Sequence, residues 1–316
     1  MRIACLQFNP SLGKPTENIA RANALLETSP PKNLDLLVLP ELAFSGYNHP
    51  SLPSILPYLE PTAAGPSTEW AKTTATLYNC IVTVGYPEIY SPPPTRSESC
   101  TTQLTAYNSL VTVSPSGEIQ AHYRKTHLYY TDETWAQESP EGWLSTALKF
   151  ALMTKPEKVA KASFGICMDL NPHKFVAPWG KYELSRHALE QGAEILVLSM
   201  AWLTKLSKEA IAEKEEQPDL DTLSYWIERL KPLVEGEKEV LVVCANRCGE
   251  EPGKNPLGAE EGVRYAGSSW VGKVGKGQVR IWEIVGRAEE RLCVADTEEK
   301  PKWVLQMKSG DGENGG

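Results

Sequence analysis

The sequence predicts an α/β fold. Three observations carry that expectation. Short runs that are apolar at every position recur along the chain, Leu36-Leu37-Val38-Leu39 and Val240-Leu241-Val242-Val243 among them; a strand of that kind has no face to turn to water and needs cover on both sides. Segments with helical apolar periodicity fall between such runs. The order strand, helix, strand then repeats, as it does where helices lie over a largely parallel sheet.

Taken in order, the chain opens on a strand-like run at 3–8. A helix over 18–26 puts Ile19, Asn23 and Leu26 on one face, with Ala22 beside them. A strand at 34–39 runs into Pro40-Glu41. The next helix gathers Trp70, Thr74 and Leu77, and Ser67 can cap it. Strands follow at 80–84, 109–113 and 119–123, the last two joined by the turn sequence Pro115-Ser116-Gly117. After a strand at 163–166, a helix over 182–191 carries Leu184, Ala188 and Leu189 and is stopped by Gly192. A strand at 195–199 leads to a helix over 219–235, with Leu220, Leu223, Ile227, Leu230 and Val234 inward. Strands at 240–245, 268–273 and 279–284 complete the pattern. Gly275-Lys276-Gly277, between the last two, reads as a turn: it lacks the third glycine and the following helix of a phosphate loop. Segments 91–105, 128–156 and 250–263 read as long loops, and 309–316 has the composition of a disordered tail. No repeat or linker divides the chain, so one domain is expected over 1–300, followed by a C-terminal arm and tail over 301–316.

The bulk numbers exclude several classes. With 316 residues and 41% hydrophobic content, one large core is within reach. A net charge of −8 and the absence of a basic run argue against nucleic acid as a partner. No apolar run approaches the ~18 residues of a membrane span, and the first residues already read as a strand rather than a signal peptide. Seven cysteines, scattered at 5, 80, 100, 167, 244, 248 and 293, do not look like a disulfide framework, so a reducing, cytoplasmic setting is expected. No histidine pair has zinc spacing, and Cys244 with Cys248 lacks further ligands. No metal and no other cofactor is expected.

Three strand ends carry chemistry. Ser163-Phe164-Gly165-Ile166 ends on Cys167, with Asp169 close behind; the run at 34–39 ends on Glu41; the strand at 119–123 ends near Lys125. Most cysteines in a core are inert and buried, and Cys5, Cys80, Cys244 and Cys293 fit that reading. Cys167 differs, because Asp169-Leu170-Asn171-Pro172 stops its strand and exposes the thiol to polar groups. Ligands of open α/β sheets bind outside the carboxyl ends of strands. A carboxylate there can take a thiol proton, and a lysine lowers the thiol pKa and stabilises an oxyanion. Alone, Glu41 would be a surface acid and Lys125 a solvated base; together with Cys167 they form a set suited to acyl transfer. A Cys–His dyad using His173 or His187 lacks support in the pattern.

Glu41 after Leu-Pro, Lys125 in Tyr-Arg-Lys-Thr-His-Leu and Cys167 in Gly-Ile-Cys-Met-Asp resemble, in order and spacing, the Glu-Lys-Cys triad of the nitrilase (carbon–nitrogen hydrolase) superfamily. The flanks Tyr107-Asn108-Ser109, Ala245-Asn246-Arg247-Cys248-Gly249 and Tyr265-Ala266-Gly267-Ser268-Ser269 agree, so the similarity runs from Arg2 to about Asp296. The fold it implies is a four-layer α-β-β-α sandwich. The roles it implies are Glu41 as general base, Lys125 as oxyanion stabiliser and Cys167 as acylated nucleophile, with the Met168 N–H as a second oxyanion donor. Many members add a glutamate after the lysine. Glu133 fits that place best, with Glu138 and Glu141 as rivals.

Where many members have Tyr-Asp-x-Arg-Phe after the nucleophile, this chain has Met168-Asp169-Leu170-Asn171-Pro172. With Thr131-Asp132-Glu133-Thr134-Trp135, that is similar to the fungal branch whose enzymes deamidate N-terminal Asn and Gln of polypeptides and feed an N-degron pathway. Such a substrate needs an anion for its α-ammonium; Asp169 is the first candidate and Glu133 the next, with Asn171 as an amide or backbone partner. Asp169 could equally be a carboxylate that orients Lys125. A small-molecule amidase, ω-amidase or nitrilase of the same superfamily is the alternative, and a silent binding protein on the scaffold is another. A homo-oligomer is compatible with the sequence, with 301–308 available as an exchanged arm.

Overall fold

A computed structural model describes residues 1–92, 104–150, 158–254 and 262–307. Its strands are β1 (Arg2–Gln7), β2 (Leu36–Val38), β3 (Glu60–Pro61), β4 (Ile81–Tyr90), β5 (Thr105–Val113), β6 (Ile119–Arg124), β7 (Ser145–Phe150), β8 (Lys158–Ile166), β9 (Ile195–Met200), β10 (Val240–Asn246), β11 (Glu250–Glu251), β12 (Val263–Arg264), β13 (Trp270–Gly275), β14 (Gln278–Ile284), β15 (Arg291–Asp296) and β16 (Trp303–Gln306). The helices are α1 (Pro15–Thr28), α2 (Leu52–Ile55), α3 (Pro66–Tyr78), α4 (Glu183–Glu190), α5 (Lys208–Ala212), α6 (Leu220–Arg229) and α7 (Lys231–Val234).

Among the described residues the long strands form two seven-stranded sheets. The first runs β15-β1-β2-β4-β5-β6, with β3 also on β4; β1, β2 and β4 are parallel, and β4-β5-β6 are antiparallel hairpins. The second runs β16-β14-β13-β10-β9-β8-β7, with β8, β9 and β10 parallel. Alternation along the strands sets the layers. Ile3, Cys5, Leu36 and Val38 share one buried cluster with Phe164, Leu196, Leu198 and Val243 of the other sheet. Ala4, Leu6, Leu37 and Leu39 turn the other way, onto Ala22 and Leu26 of α1 and Trp70, Ala71 and Ala75 of α3. Leu184 and Ala188 of α4, Trp226 and Ile227 of α6, and Leu233 of α7 pack against the second sheet. The result is the expected α-β-β-α sandwich, and it explains why the central strands are apolar at every position.

Several local expectations change. Ser67 does not cap α3; Gly65, at φ +114°, holds the cap position, and Ser67 instead bonds Glu60 through its N–H and hydroxyl at 2.9 and 2.6 Å. The helix expected over 219–235 divides at Leu230, because Pro232 lacks the N–H that would continue it. The loop expected over 128–156 contains β7, an edge strand with only two of its six residues buried, and β15 was not foreseen although Leu292-Cys293-Val294-Ala295 is apolar throughout. Of the arm expected over 301–308, Trp303–Gln306 lies as β16 along β14 of its own chain. The tail, most of the 91–105 loop and the centre of the 250–263 loop lie outside the described residues.

Candidate active site

Parallel order brings the carboxyl ends of strands together, and four such ends meet. β2 leads through Leu39 and Pro40 to Glu41, β6 to Lys125, β8 to Cys167 and β9 to Ala201. Gly85 of β4 lets the Glu41 segment come close: a Cβ there would stand 2.8 Å from the Leu42 nitrogen and 2.9 Å from the Glu41 Cα.

Glu41 and Lys125 are both fully buried. The Lys125 ammonium donates to Glu41 Oε1 at 2.6 Å and to Asp132 Oδ2 at 2.5 Å. Asn108 Nδ2 donates to Glu41 Oε1 at 2.7 Å and to Asp132 Oδ1 at 3.1 Å. The Ala201 N–H holds Glu41 Oε2 at 2.8 Å, and the Tyr129 N–H and Tyr47 hydroxyl reach Asp132 Oδ2 at 3.0 and 3.4 Å. One cation thus sits between two carboxylates, a net negative cluster locked at fixed angles.

Electrostatics follow from this arrangement. Burial, reinforced by the Asp132 charge, pushes the Glu41 carboxyl up to about 7, although Lys125 and Asn108 pull it down. Burial works against the Lys125 charge, but Asp132 and Glu41 outweigh it and hold the ammonium protonated. Burial and the Glu41 charge raise the Cys167 thiol well above its ordinary value, while Lys125 and the Ala201 N–H favour the thiolate. At rest the pair is therefore a thiol beside a carboxylate able to accept its proton.

Cys167 opens a short 3-10 turn, Cys167–Leu170, with its own φ at +42°. A non-glycine residue there is strained, a condition common at reactive positions. Asp169 secures the turn. Its carboxylate accepts from the Ile166 N–H at 2.8 Å, the Tyr123 hydroxyl at 2.8 Å, the Thr126 N–H at 3.1 Å and the His127 N–H at 2.7 Å. It staples the loop after β8 to the loop after β6, and so Cys167 to Lys125. Burial still lifts its carboxyl to about 6.

Cys167 lies in the wall of a cleft of about 570 Å³. Tyr47, Tyr129, Tyr130, Phe175, Trp202 and Tyr225 supply its aromatic lining. Met168 and Asn171 lie there too, and Asn171 Oδ1 accepts from the Tyr225 hydroxyl at 2.6 Å.

Glu41, Lys125 and Cys167 thus set a buried carboxylate, ammonium and thiol at adjoining strand ends of an α-β-β-α sandwich, and fold and site together define a hydrolase class. The carbon-nitrogen hydrolase family model matches residues 2–272, and the chain belongs to that family. It is 30% identical over 313 residues to the protein N-terminal amidase of Schizosaccharomyces pombe (strain 972 / ATCC 24843), covering 94% of this chain and all of that protein. It is 32% identical over 220 residues to the protein N-terminal amidase of Saccharomyces cerevisiae (strain ATCC 204508 / S288c), covering 66% of this chain and 46% of that protein. A solved N-terminal amidase with a Gln-Val peptide superposes with a TM-score of 0.78 at 21% identity, covering 93% of this chain and 96% of the other.

The structure gathers Glu41, Lys125 and Cys167 and places Met168 and Asn171 in the cleft. It does not bring Glu133 there. Glu133 is exposed and faces Lys174 at 3.9 Å; Glu138 pairs with His173 at 2.7 Å and Glu141 with Arg124 at 3.5 Å. The acid on Lys125 is Asp132: the 3-10 turn Asp132–Thr134 points residue 132 inward and residue 133 to solvent. Asp169 is also corrected as a candidate for binding an ammonium, since it faces away from the cleft and its acceptor positions are filled. His173 and His187 lie outside the cleft wall, so no Cys–His dyad forms. Sequence reasoning missed Asp132, and it flagged Asn108 only as a flank; the visible signal was that Asp132 adjoins the residue chosen.

Proposed function

We propose that this chain is a cysteine amidohydrolase that converts the side-chain amide of N-terminal Asn or Gln of polypeptides to the acid, releasing ammonia. The observation that carries the reading is the buried Glu41–Lys125–Asp132 cluster beside Cys167 at an open, aromatic-lined cleft. The match to N-terminal amidases along nearly the whole chain supports the substrate class.

Glu41 takes the Cys167 proton as the sulfur attacks the amide carbon. A carboxyl poised near 7 can accept that proton and return it at neutral pH. The oxyanion forms between the Lys125 ammonium and the Met168 N–H, which stands in the first turn of its 3-10 helix and so lacks an intrahelical partner. Collapse of the tetrahedral adduct breaks the carbon–nitrogen bond, and Glu41 hands its proton to the departing ammonia. Water, deprotonated by Glu41, then attacks the thioester, releasing the carboxylate product and restoring the thiol. Asp132 and Asn108 hold Lys125 and Glu41 in place throughout, and the Asn171 amide is a partner for the substrate backbone.

Within a cell, such an enzyme would act in the cytoplasm on new or newly cleaved chain starts and supply an N-degron route. Among the described residues no helix is long and apolar enough to cross a membrane. The test is mass spectrometry with ammonia detection on peptides that begin with Asn or Gln, their N-acetylated forms, and free glutamine. Conversion of the free-amine peptides alone is expected. Equal rates on free and acetylated peptides would return the protein to the general amidases.

A further inference from the structure

Reading a chain start requires an anion for the α-ammonium, and the corrected positions of Glu133 and Asp169 leave that role open. Outside the Glu41–Lys125–Asp132 cluster, the described cleft wall holds two acids, Asp219 and Asp221. Asp221 is exposed, whereas Asp219 is only 5% exposed.

Asp219 is the N-cap of α6. Its Oδ1 accepts from the Thr222 N–H at 3.2 Å and its Oδ2 from the Thr204 hydroxyl at 2.7 Å. An ionised carboxylate can accept about four hydrogen bonds. Asp169 makes four; Asp219 makes two, both from neutral donors, and no Lys, Arg or His pairs with it among the described residues. The amino end of α6 stabilises the charge while the cleft is empty. A buried carboxylate with spare acceptor positions and no counter-ion, in the wall that also holds Cys167, is suited to a cation delivered by the substrate.

The neighbouring donor fits the same ligand. Thr222 and Tyr225 follow Asp219 at helical spacing and line the cleft with it. Tyr225 occupies the oxygen of Asn171, which leaves the Asn171 amide nitrogen, in a side chain only 4% exposed, free to donate. An acceptor from α6 and a donor from the nucleophile loop match an ammonium and the peptide carbonyl next to it. We propose that Asp219 reads the α-ammonium of the substrate and that Asn171 donates to the first peptide carbonyl, an assignment that rests on the N-terminal amidase reading above.

Asp219→Asn tests this, because Asn is an equally good N-cap: it keeps an acceptor for the Thr222 N–H, removes the charge and asks the Thr204 hydroxyl to accept instead of donate. The substrates are an Asn-initiated peptide and its des-amino analogue, in which a 3-carbamoylpropanoyl group replaces Asn. Asp219→Asn should raise KM for the free-amine peptide on the order of 30-fold or more, the scale for losing one side of a desolvated charge pair. Its kcat should change little, and the des-amino peptide should lose no affinity, since no charge pair is broken for it. If thermal melting shows that this variant does not fold, Asp219→Ser, also a good cap, enters the same assay. Asn171→Ala should weaken both peptides by a similar factor, since both keep the carbonyl; no loss on either removes Asn171 from the assignment. If Asp219→Asn keeps the full preference for the free amine, or if Asp221→Asn loses it instead, the assignment to Asp219 is overturned and the parent reading stands. If the wild type converts neither peptide but releases ammonia from free small amides, the parent reading itself has failed.

Discussion

Cys167 and Asp132 illustrate how much depends on single side chains. In the proposed reaction the Cys167 thiol carries the covalent step, and the other described cysteines lie elsewhere in the core. Cys167→Ala should therefore abolish ammonia release, by ~10⁴-fold or more, while the thermal melt stays near the wild type's. Substantial turnover by the folded variant would remove Cys167 from the role. Asp132 acts on Glu41 through charge. The base must be ionised, so kcat/KM should rise with pH around a midpoint near the Glu41 value of about 7. The negative charge of Asp132 raises that value, so Asp132→Asn should move the rising limb to lower pH, as well as lowering kcat through a looser Lys125. Glu133→Gln, on an exposed acid outside the cleft, should leave the profile where it is. A profile shifted by Glu133→Gln and untouched by Asp132→Asn would reverse the two assignments.

At the scale of elements, the site depends on how closely strand-end segments approach. The three atoms nearest to a Cβ on Gly85 of β4 are backbone atoms of Pro40, Glu41 and Leu42, none of which can rotate away. Gly85→Ala should push the Glu41 segment outward and lower kcat far more than it raises KM, which steady-state kinetics on an Asn-initiated peptide will show. Unchanged kcat would mean that the segment tolerates displacement. The strand ends themselves were legible: β2 and β8 were foreseen from apolar runs and β6 from its hairpin turn, with Glu41, Cys167 and Lys125 just past their ends. The turns between elements were less legible. Which of two adjacent acids points inward depends on the rotation of the 3-10 turn Asp132–Thr134, and that rotation is set by Lys125, Asn108 and the Tyr129 N–H rather than by local periodicity.

For the whole molecule, the two sheets share one core, and the site lies where their carboxyl ends adjoin. β16 is remote from it in topology, at the far edge of the second sheet, with Trp303, Val304 and Leu305 each 44% exposed or more. Removing 301–316 should lower the melting temperature by uncovering β14, yet leave ammonia release intact. Loss of activity in a folded truncation would show that the arm serves the site.

The sequence by itself determined the α/β class and set Glu41, Lys125 and Cys167 at strand ends, because apolar runs that require cover on both faces, and the residues that follow strands, are short-range patterns; the four layers came from the family resemblance. Tertiary structure alone decided where each carboxylate faces. Asp169 turns from the cleft because three backbone N–H groups and a tyrosine hydroxyl, from the ends of β6 and β8 and the loop after β6, claim its oxygens. Asp132 faces inward because a buried ammonium needs a second counter-charge. Asp219 enters the cleft because α6 packs its Thr222 and Tyr225 ridge toward Cys167. Each of these outcomes rests on partners distant in sequence or on a turn's rotation, and the spacing of residues along a chain encodes neither.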